Sequence, residues 1–544
     1  MKFSTAMPIK QFLSLAFVCA FCQVSAQLNV INPMVENLQN PIGLDVDSPR
    51  FSWQLSSPQR NVIQTTYEIK VAENAANLSL SKSLLWASGR VNSDASVWVP
   101  YTGPALQSGK KYYWQVRVWD NFGQESVWSE PAFWQMGLRS PADWKAKWIT
   151  VSAPEDSLKP SPMFRKTFKL AKKVASATAY ITAHGMYEAF INGKRIGEDY
   201  LTPGWTAYQK RLQYQTYDVT RLLQAGENAA GIVLGNGWWR GNIGFSGQRN
   251  FYGKDISVLC QIEVVFVDGS RATIVTDESW TYTTNGPIRS SEIYHGETYD
   301  SRMEIKDWSR MEFDGRSWRQ VAVADFGAQT LIATYNEPVR KHETFPAKKI
   351  FRTPKGELVV DFGQNLVGWV SMFAQGKPGD EITIQFAEVL DKEGNFYTDN
   401  LRDAKCTDRW FLSGRGKEYF EPHFTFHGFR YAKIGGYPGE LTPEHIEAVA
   451  LYSDMKPAGS FVCSEPLINQ LQHNIQWGQR GNFLDVPTDC PQRDERLGWT
   501  GDAQAFSRTA MFNFDTHNFF AKWLKDVAAD QRADGMVPFV VPHV

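Results

Sequence analysis

The sequence predicts a multidomain, mostly β chain that closes on helices. Three observations carry that prediction. Most of the chain alternates apolar and polar residues in short runs, the period-two signature of strands with one buried face. Turn signals such as Ser108-Gly109 and Asp120-Asn121-Phe122-Gly123 break those runs at short intervals. Near residue 460 the apolar spacing lengthens to every fourth residue, a helical repeat. At roughly 150 residues per domain, 544 residues suggest three or four domains.

Composition narrows the function classes. With 57 Lys+Arg against 58 Asp+Glu, the net charge of −1 leaves no electrostatic footprint for nucleic acid or an anionic membrane. A 43% hydrophobic and 21% charged chain is not disordered as a whole. The 20 Trp, 34 Phe and 20 Tyr fit sandwich cores, and they fit carbohydrate binding equally, because sugar rings stack on flat aromatic faces. Cys260, Cys406, Cys463 and Cys490 lie too far apart for a zinc ribbon or redox motif, and their spacing leaves pairing open.

Taken in order, residues 1–26 read as a secretory signal peptide. Lys2 and Lys10 precede the apolar run Phe12 to Cys22, and Val24-Ser25-Ala26 supplies small residues before Gln27. No later stretch approaches the roughly 18 apolar residues of a membrane span, so an exported protein is expected. Residues 27–138, with Tyr67-Glu68-Ile69-Lys70-Val71 and residues 113–119, predict an immunoglobulin-like or fibronectin-III-like sandwich. Pro141-Ala142-Asp143 marks a junction, and residues 139–340 form a second β block with an Asn192-Gly193 hairpin. Its Gly235 to Gly241 loop holds Trp238 and Trp239. A sandwich with sticky loops and a jelly roll whose loop aromatics face sugar both fit.

Residues 341–456 form a third β block, with strands around Leu358 to Val360 and Ile382 to Phe386. His423 and His427 could share a strand face there, but with no third ligand structural histidines are favoured over a metal site. Residues 457–544 are helical. Ser464-Glu465-Pro466 signals a helix start, Leu467, Leu471 and Ile475 repeat every four residues, and a second helical stretch is expected over 502–532. Two helices cannot close a core, so this block is expected to be a domain cut short that exposes apolar helix faces.

The chemistry concentrates between those helices. Asp489, Asp494, Glu495 and Asp502, with Arg493, Arg496 and Trp499, fall within fourteen residues bounded by Pro and Gly. Glycosidic cleavage needs such carboxylates: one protonated for the leaving oxygen and one ionised across the sugar. Adjacent Asp494 and Glu495 favour retention of a proton, whereas the arginines favour ionisation, and the sequence leaves that balance open. A solvated loop with helix caps is the structural alternative. Cys490 has no histidine near it in sequence, which favours a buried thiol over a nucleophile.

The stretch from Asp489 to Asp502 resembles the signature of bacterial α-L-rhamnosidases of glycoside hydrolase family 78, and the resemblance extends over nearly the whole chain after residue 26. Residues 190–245, including Pro203-Gly204-Trp205 and Gly237-Trp238-Trp239-Arg240-Gly241, resemble the family's jelly-roll module. Asp361-Phe362-Gly363-Gln364-Asn365 and residues 426–431 resemble its concanavalin-like sandwich, and the last block resembles the opening of its six-hairpin (α/α)6 barrel. The resemblance implies inverting hydrolysis of terminal α-L-rhamnose from glycosides or polysaccharides. It implies Glu495 as general acid, and Asp489, Arg493, Trp499 and Asp502 as the lining of the rhamnose pocket. The general base is implied beyond residue 544. No cofactor is expected; a calcium-assisted sugar site is open by analogy but has no placed ligands. A truncated, non-catalytic protein that binds rhamnose-rich glycans through its sandwiches and the Trp238-Trp239 loop is the alternative.

Overall fold

The computed structural model describes residues 28–152, 159–245 and 247–544; the signal-peptide reading of 1–26 lies outside them. The chain forms two compact units. One takes in residues up to 39, 48–104 and 112–133, and the other 40–47, 105–111 and 134–544. In the first, Asn29–Val35 pairs antiparallel with Arg50–Ser56, and Gln64–Ala72 pairs antiparallel with Lys111–Asp120. The inward side chains of the alternating runs, Phe51, Ile69, Val71, Trp114 and Val116, are fully buried. The Phe51 and Trp114 rings meet at 4.5 Å.

The second unit begins with two antiparallel-rich sheets. One has seven strands around the pair Val174–His184 and Ser257–Phe266, and the other has six around Gly226–Gly235. Phe164, Ile181, Ile232, Leu234 and Val258 belong to the buried cluster they share. The expected hairpin is present: Ile191 pairs with Lys194, and Asn192 and Gly193 take φ of +51° and +79°, which a two-residue turn of this hand requires. The aromatic loop differs from the sugar-facing reading. Gly237–Arg240 is a buried helical turn, with Trp238 stacked on Trp205 at 5.7 Å and Trp239 on His184 at 4.0 Å. Both indoles fill the interior, where apolar burial outweighs any exposed stacking role.

A ten-stranded sheet follows, built on the 17-residue strand Leu358–Ala374 between His427–Gly435 and Ile446–Ser453. It also takes in the hairpin of Ile288–Glu292 and Gly296–Asp300, whose second strand runs parallel to Thr407–Phe411. That hairpin crosses the sequence boundary expected near 340. His423 and His427 do not share a ligand set: His423 Nδ1 meets Glu188 Oε2 at 3.1 Å, and His427 Nε2 meets Asp408 Oδ1 at 3.1 Å.

Helix Pro466–Asn482 starts where the sequence predicts, with Pro466 in the first turn, but its cap is the Glu465 carboxylate, accepting from the Leu467 N–H, instead of the expected Ser464 hydroxyl. Its inward side, however, is Trp477, Gln479 and Gly481, while Leu467 and Leu471 are exposed. The expected second helix is two helices, Thr500–Asn513 and His517–Asp530. Phe514 breaks them by turning extended (φ −140°, ψ 155°) and burying its ring, while Asp515 N–H donates to Lys456 C=O at 2.8 Å.

Candidate active site

The loop between the first two of these helices is fixed at both ends. At its start, the turn residue Asp485, at φ +69°, receives the buried Lys522 ammonium at 2.9 Å, and Lys522 also donates to the Asp485 C=O. At its end, Val541 N–H donates to Gly498 C=O at 2.8 Å, and Trp523 Nε1 to Val541 C=O at 2.9 Å. In the middle, the Asp489 N–H donates to Leu497 C=O at 3.1 Å, and Asp489 Oδ1 accepts from Leu497 N–H at 3.0 Å. These bonds fold residues 489–497 into a closed turn that brings its polar side chains together.

Glu495 is the hub. Its side chain is 7% exposed. Oε2 accepts from Arg493 Nε at 3.0 Å and from Arg402 Nη1 at 3.2 Å, and Oε1 accepts from Trp499 Nε1 at 3.0 Å. Its C=O accepts from the Tyr294 hydroxyl. Arg493 reaches Asp489 Oδ2 as well, at 3.4 Å. Four of the five residues singled out, Asp489, Arg493, Glu495 and Trp499, are thus joined through side-chain hydrogen bonds. Asp502 does not join them. It is exposed in the first turn of helix Thr500–Asn513, where the helix dipole favours a carboxylate.

The electrostatics separate the carboxylates. Burial pushes Asp489 above the usual carboxylate range, with Glu495 adding to the shift and hydrogen bonds from Cys490 and Leu497 opposing it. Burial likewise raises Asp494, opposed by Arg402, and Asp494 Oδ1 is buried without a hydrogen-bond partner among the described residues. Burial and the neighbouring Asp489 push the Cys490 thiol up to about 12, which fits a buried thiol and not a nucleophile. Asp489, Cys490 and Glu495 place ligand-type atoms within 4.8 Å of one another. Arg493 already bridges both carboxylates, so the cation this cluster calls for is a guanidinium.

The comparisons with known proteins cover every part of the chain around this site. Residues 30–140 match the Rha78A-like N-terminal immunoglobulin domain and 172–343 the alpha-L-rhamnosidase N-terminal domain. Residues 351–452 match the bacterial alpha-L-rhamnosidase concanavalin-like domain, and 456–544 its 6 hairpin glycosidase domain. An alpha-L-rhamnosidase of Formosa agariphila is 40% identical over 526 residues, covering 94% of this chain and 56% of that protein. The solved Streptomyces avermitilis alpha-L-rhamnosidase, in complex with L-rhamnose, is 32% identical with a TM-score of 0.91, over 95% of this chain and 66% of that one. The solved Aspergillus terreus enzyme gives 41% and 0.89, over 95% and 59%. The chain belongs to the bacterial α-L-rhamnosidases of glycoside hydrolase family 78. It spans between about half and two thirds of the length of these relatives.

In this chain of the family, three contributors to the site escape sequence reasoning. Arg402 arrives from the sandwich block, Tyr294 from the hairpin at 288–300, and Phe245, whose ring lies 6.0 Å edge-on to Trp499, from the jelly roll. They are 93, 201 and 254 residues from their partners in the loop, by subtraction of sequence numbers, and no local pattern marks them. Arg496 also differs from the reading that it tunes carboxylates: its guanidinium donates to the C=O groups of Ile293, Phe426, Gln492 and Arg493.

Proposed function

We propose that the whole protein is an exported glycoside hydrolase that releases terminal α-L-rhamnose from glycans or glycosides with inversion at the anomeric carbon. Glu495 serves as general acid. Its proton passes to the glycosidic oxygen as the C1–O bond breaks, and a water activated by a second carboxylate attacks the opposite face. That second carboxylate is assigned to no residue of this chain. Asp489 and Arg493 hydrogen-bond the sugar hydroxyls, and the Trp499 ring packs on the C5-methyl side, with Asp502 exposed at the helix start outside this cluster. The observation that carries the reading is the convergence of Glu495, Asp489, Arg493 and Trp499 in a chain of this family. The L-rhamnose complex of the Streptomyces relative supports the substrate class, and the residue pattern of 1–26 supports export.

Of the grounds for the purely glycan-binding alternative, the Trp238-Trp239 loop no longer favours it, because both indoles are buried. The test is Glu495→Gln in the protein. Rhamnose release from a glycoside with a poor leaving group should fall by about 10²- to 10⁴-fold. An unchanged rate removes Glu495 from the acid role. Proton NMR of the first-formed sugar reads the anomer, and a retained configuration rejects inversion.

A further inference from the structure

Phe245 is an aromatic residue at the rim of the site that the proposed reaction leaves unused. It is 50% exposed, while Ile243, two positions earlier, is fully buried. Hydrogen bonds close its loop from below. Ile243 N–H donates to Gln248 C=O at 3.1 Å, Asn242 N–H to Glu292 Oε2 at 3.0 Å, and Arg249 Nη2 to Glu292 Oε1 at 2.6 Å. Gly244 N–H donates to the Tyr294 hydroxyl at 3.1 Å, and the same hydroxyl donates to Glu495 C=O. One phenol thus ties the backbone beside Phe245 to the backbone of Glu495. Single exposed apolar rings are ordinary on a protein surface; this one is set apart by what it touches. Its ring and that of Trp499 lie 6.0 Å apart with planes at 69°, an edge-on pair. Two aromatic walls at that angle make an apolar corner, and both keep open surface, Trp499 being half-buried. The polar groups that these contacts bring to the corner are already used: Trp499 Nε1 donates to Glu495 Oε1 at 3.0 Å, and the Gly244 N–H and the Tyr294 hydroxyl are paired as above. A methyl group fits such a corner. A hydroxyl there would lose water and gain no partner among these groups.

We propose that Phe245 is a specificity residue of the jelly roll: with Trp499 it seats the C5-methyl group, and so tells a 6-deoxyhexose from the same sugar with a hydroxyl at C6. The inference rests on the rhamnose pocket proposed above. In such a sugar only C5 and the ring oxygen separate the methyl carbon from the anomeric carbon. Trp499 bridges the corresponding interval in the protein, with Nε1 on the Glu495 carboxyl and its ring against Phe245. Seating the methyl group therefore also sets the anomeric carbon beside Glu495.

The test reads the contact without turnover, on the whole protein and on Phe245→Ala and Phe245→Leu, each with parental circular dichroism. Saturation-transfer NMR with free L-rhamnose, under irradiation of aromatic protons, should give the methyl protons the largest share of the signal in the parent. That share should fall by about half or more in Phe245→Ala. Titrations with L-rhamnose, with L-mannose, which carries the C6 hydroxyl, and with L-lyxose, which lacks C6, give the affinity ratios. The parent should favour L-rhamnose over each by on the order of tenfold. Phe245→Ala should bring both ratios within about threefold, and Phe245→Leu, which restores an apolar wall, should keep most of the preference. A methyl share no larger than that of the ring protons in the parent overturns the seat, and this reading needs no variant to fold. Ratios that stay the same in Phe245→Ala overturn it as well. Failure of the rhamnose reading looks different: no proton of L-rhamnose is then saturated, whichever side chain stands at 245.

Discussion

Arg496 is a fully buried cation whose described hydrogen-bond partners are carbonyls and the Cys406 sulfur, not carboxylates. Its guanidinium also lies 4.9 Å from the Phe426 ring centre and 5.1 Å from that of Tyr294. It pins the Glu495 loop to the sheet behind it. Arg496→Met strands at least three buried carbonyls, and about 2–4 kcal/mol of local stability should be lost. Hydrogen–deuterium exchange reads this as a roughly 30- to 1,000-fold faster exchange of the Leu497 amide, whereas Arg493→Met should leave it within about fivefold. Equal protection in the two variants contradicts the pinning role. At this scale the sequence shows which residue types cluster, because carboxylates, arginines and a tryptophan within fourteen positions are visible as they stand. It does not show which arginine faces a carboxylate and which faces carbonyls. That depends on the φ of +51° at Arg496 and on partners such as Ile293 and Phe426, more than sixty residues away in sequence.

Between elements, the Glu188–His423 pair links strand Met186–Ile191 to the segment that enters strand His427–Gly435. Burial opposes the charge on His423, but Glu188 outweighs it and holds the imidazole up to about 9, from an ordinary value of 6.5. A raised histidine stabilises the fold fully below its unfolded value and loses that contribution as pH rises through its folded one. Glu297 nearby, pushed up to about 7 by burial, loses its share earlier on the same rise. Glu337, which burial pushes up to about 8, titrates in the span from pH 7 to 9 as well, so the His423 share there is the difference between the parent and a His423 variant. Melting temperature should fall with pH across that span, and His423→Gln should flatten the slope; an unchanged slope contradicts the assignment. Strands and hairpins were legible wherever period two or Asn-Gly stated them. The break at Phe514 and the inward face of helix Pro466–Asn482 were not, because both are set by what the helices pack against. Leu467 and Leu471 have the right spacing for a core and lie in solvent, while the polar Gln479 is buried.

Over the whole molecule, apolar side chains gather on the outside of the helical block. Leu467, Leu471, Met511, Phe512, Leu524 and Phe539 are all more than half exposed. Met511, Phe514, Phe520 and Leu524 line an open groove of about 440 Å³. A patch of this kind binds hydrophobic dye. The 544-residue chain should therefore raise dye fluorescence, and Phe512→Ser with Leu524→Ser should lower it; a dye-silent parent contradicts the exposed face. The passage from β blocks to helices near residue 460 was readable from the change of period, whereas the jelly-roll and concanavalin-like assignments came from the resemblance of their motifs to the family. The hairpin at 288–300 was not readable, because its strands pair with a sheet that begins later in the chain.

The account turns on whether residue 495 hands a proton to the leaving oxygen, and the dependence of rate on leaving group reads that most directly. Aryl rhamnosides whose phenols span several units of acidity should be cleaved by the parent protein at similar rates, because the acid assists the poor leaving groups. Glu495→Gln should keep most of its rate on the most acidic phenol and lose it steeply as the phenol weakens. A Glu495→Gln protein that loses the same factor on every substrate, or none, would contradict the role given to Glu495.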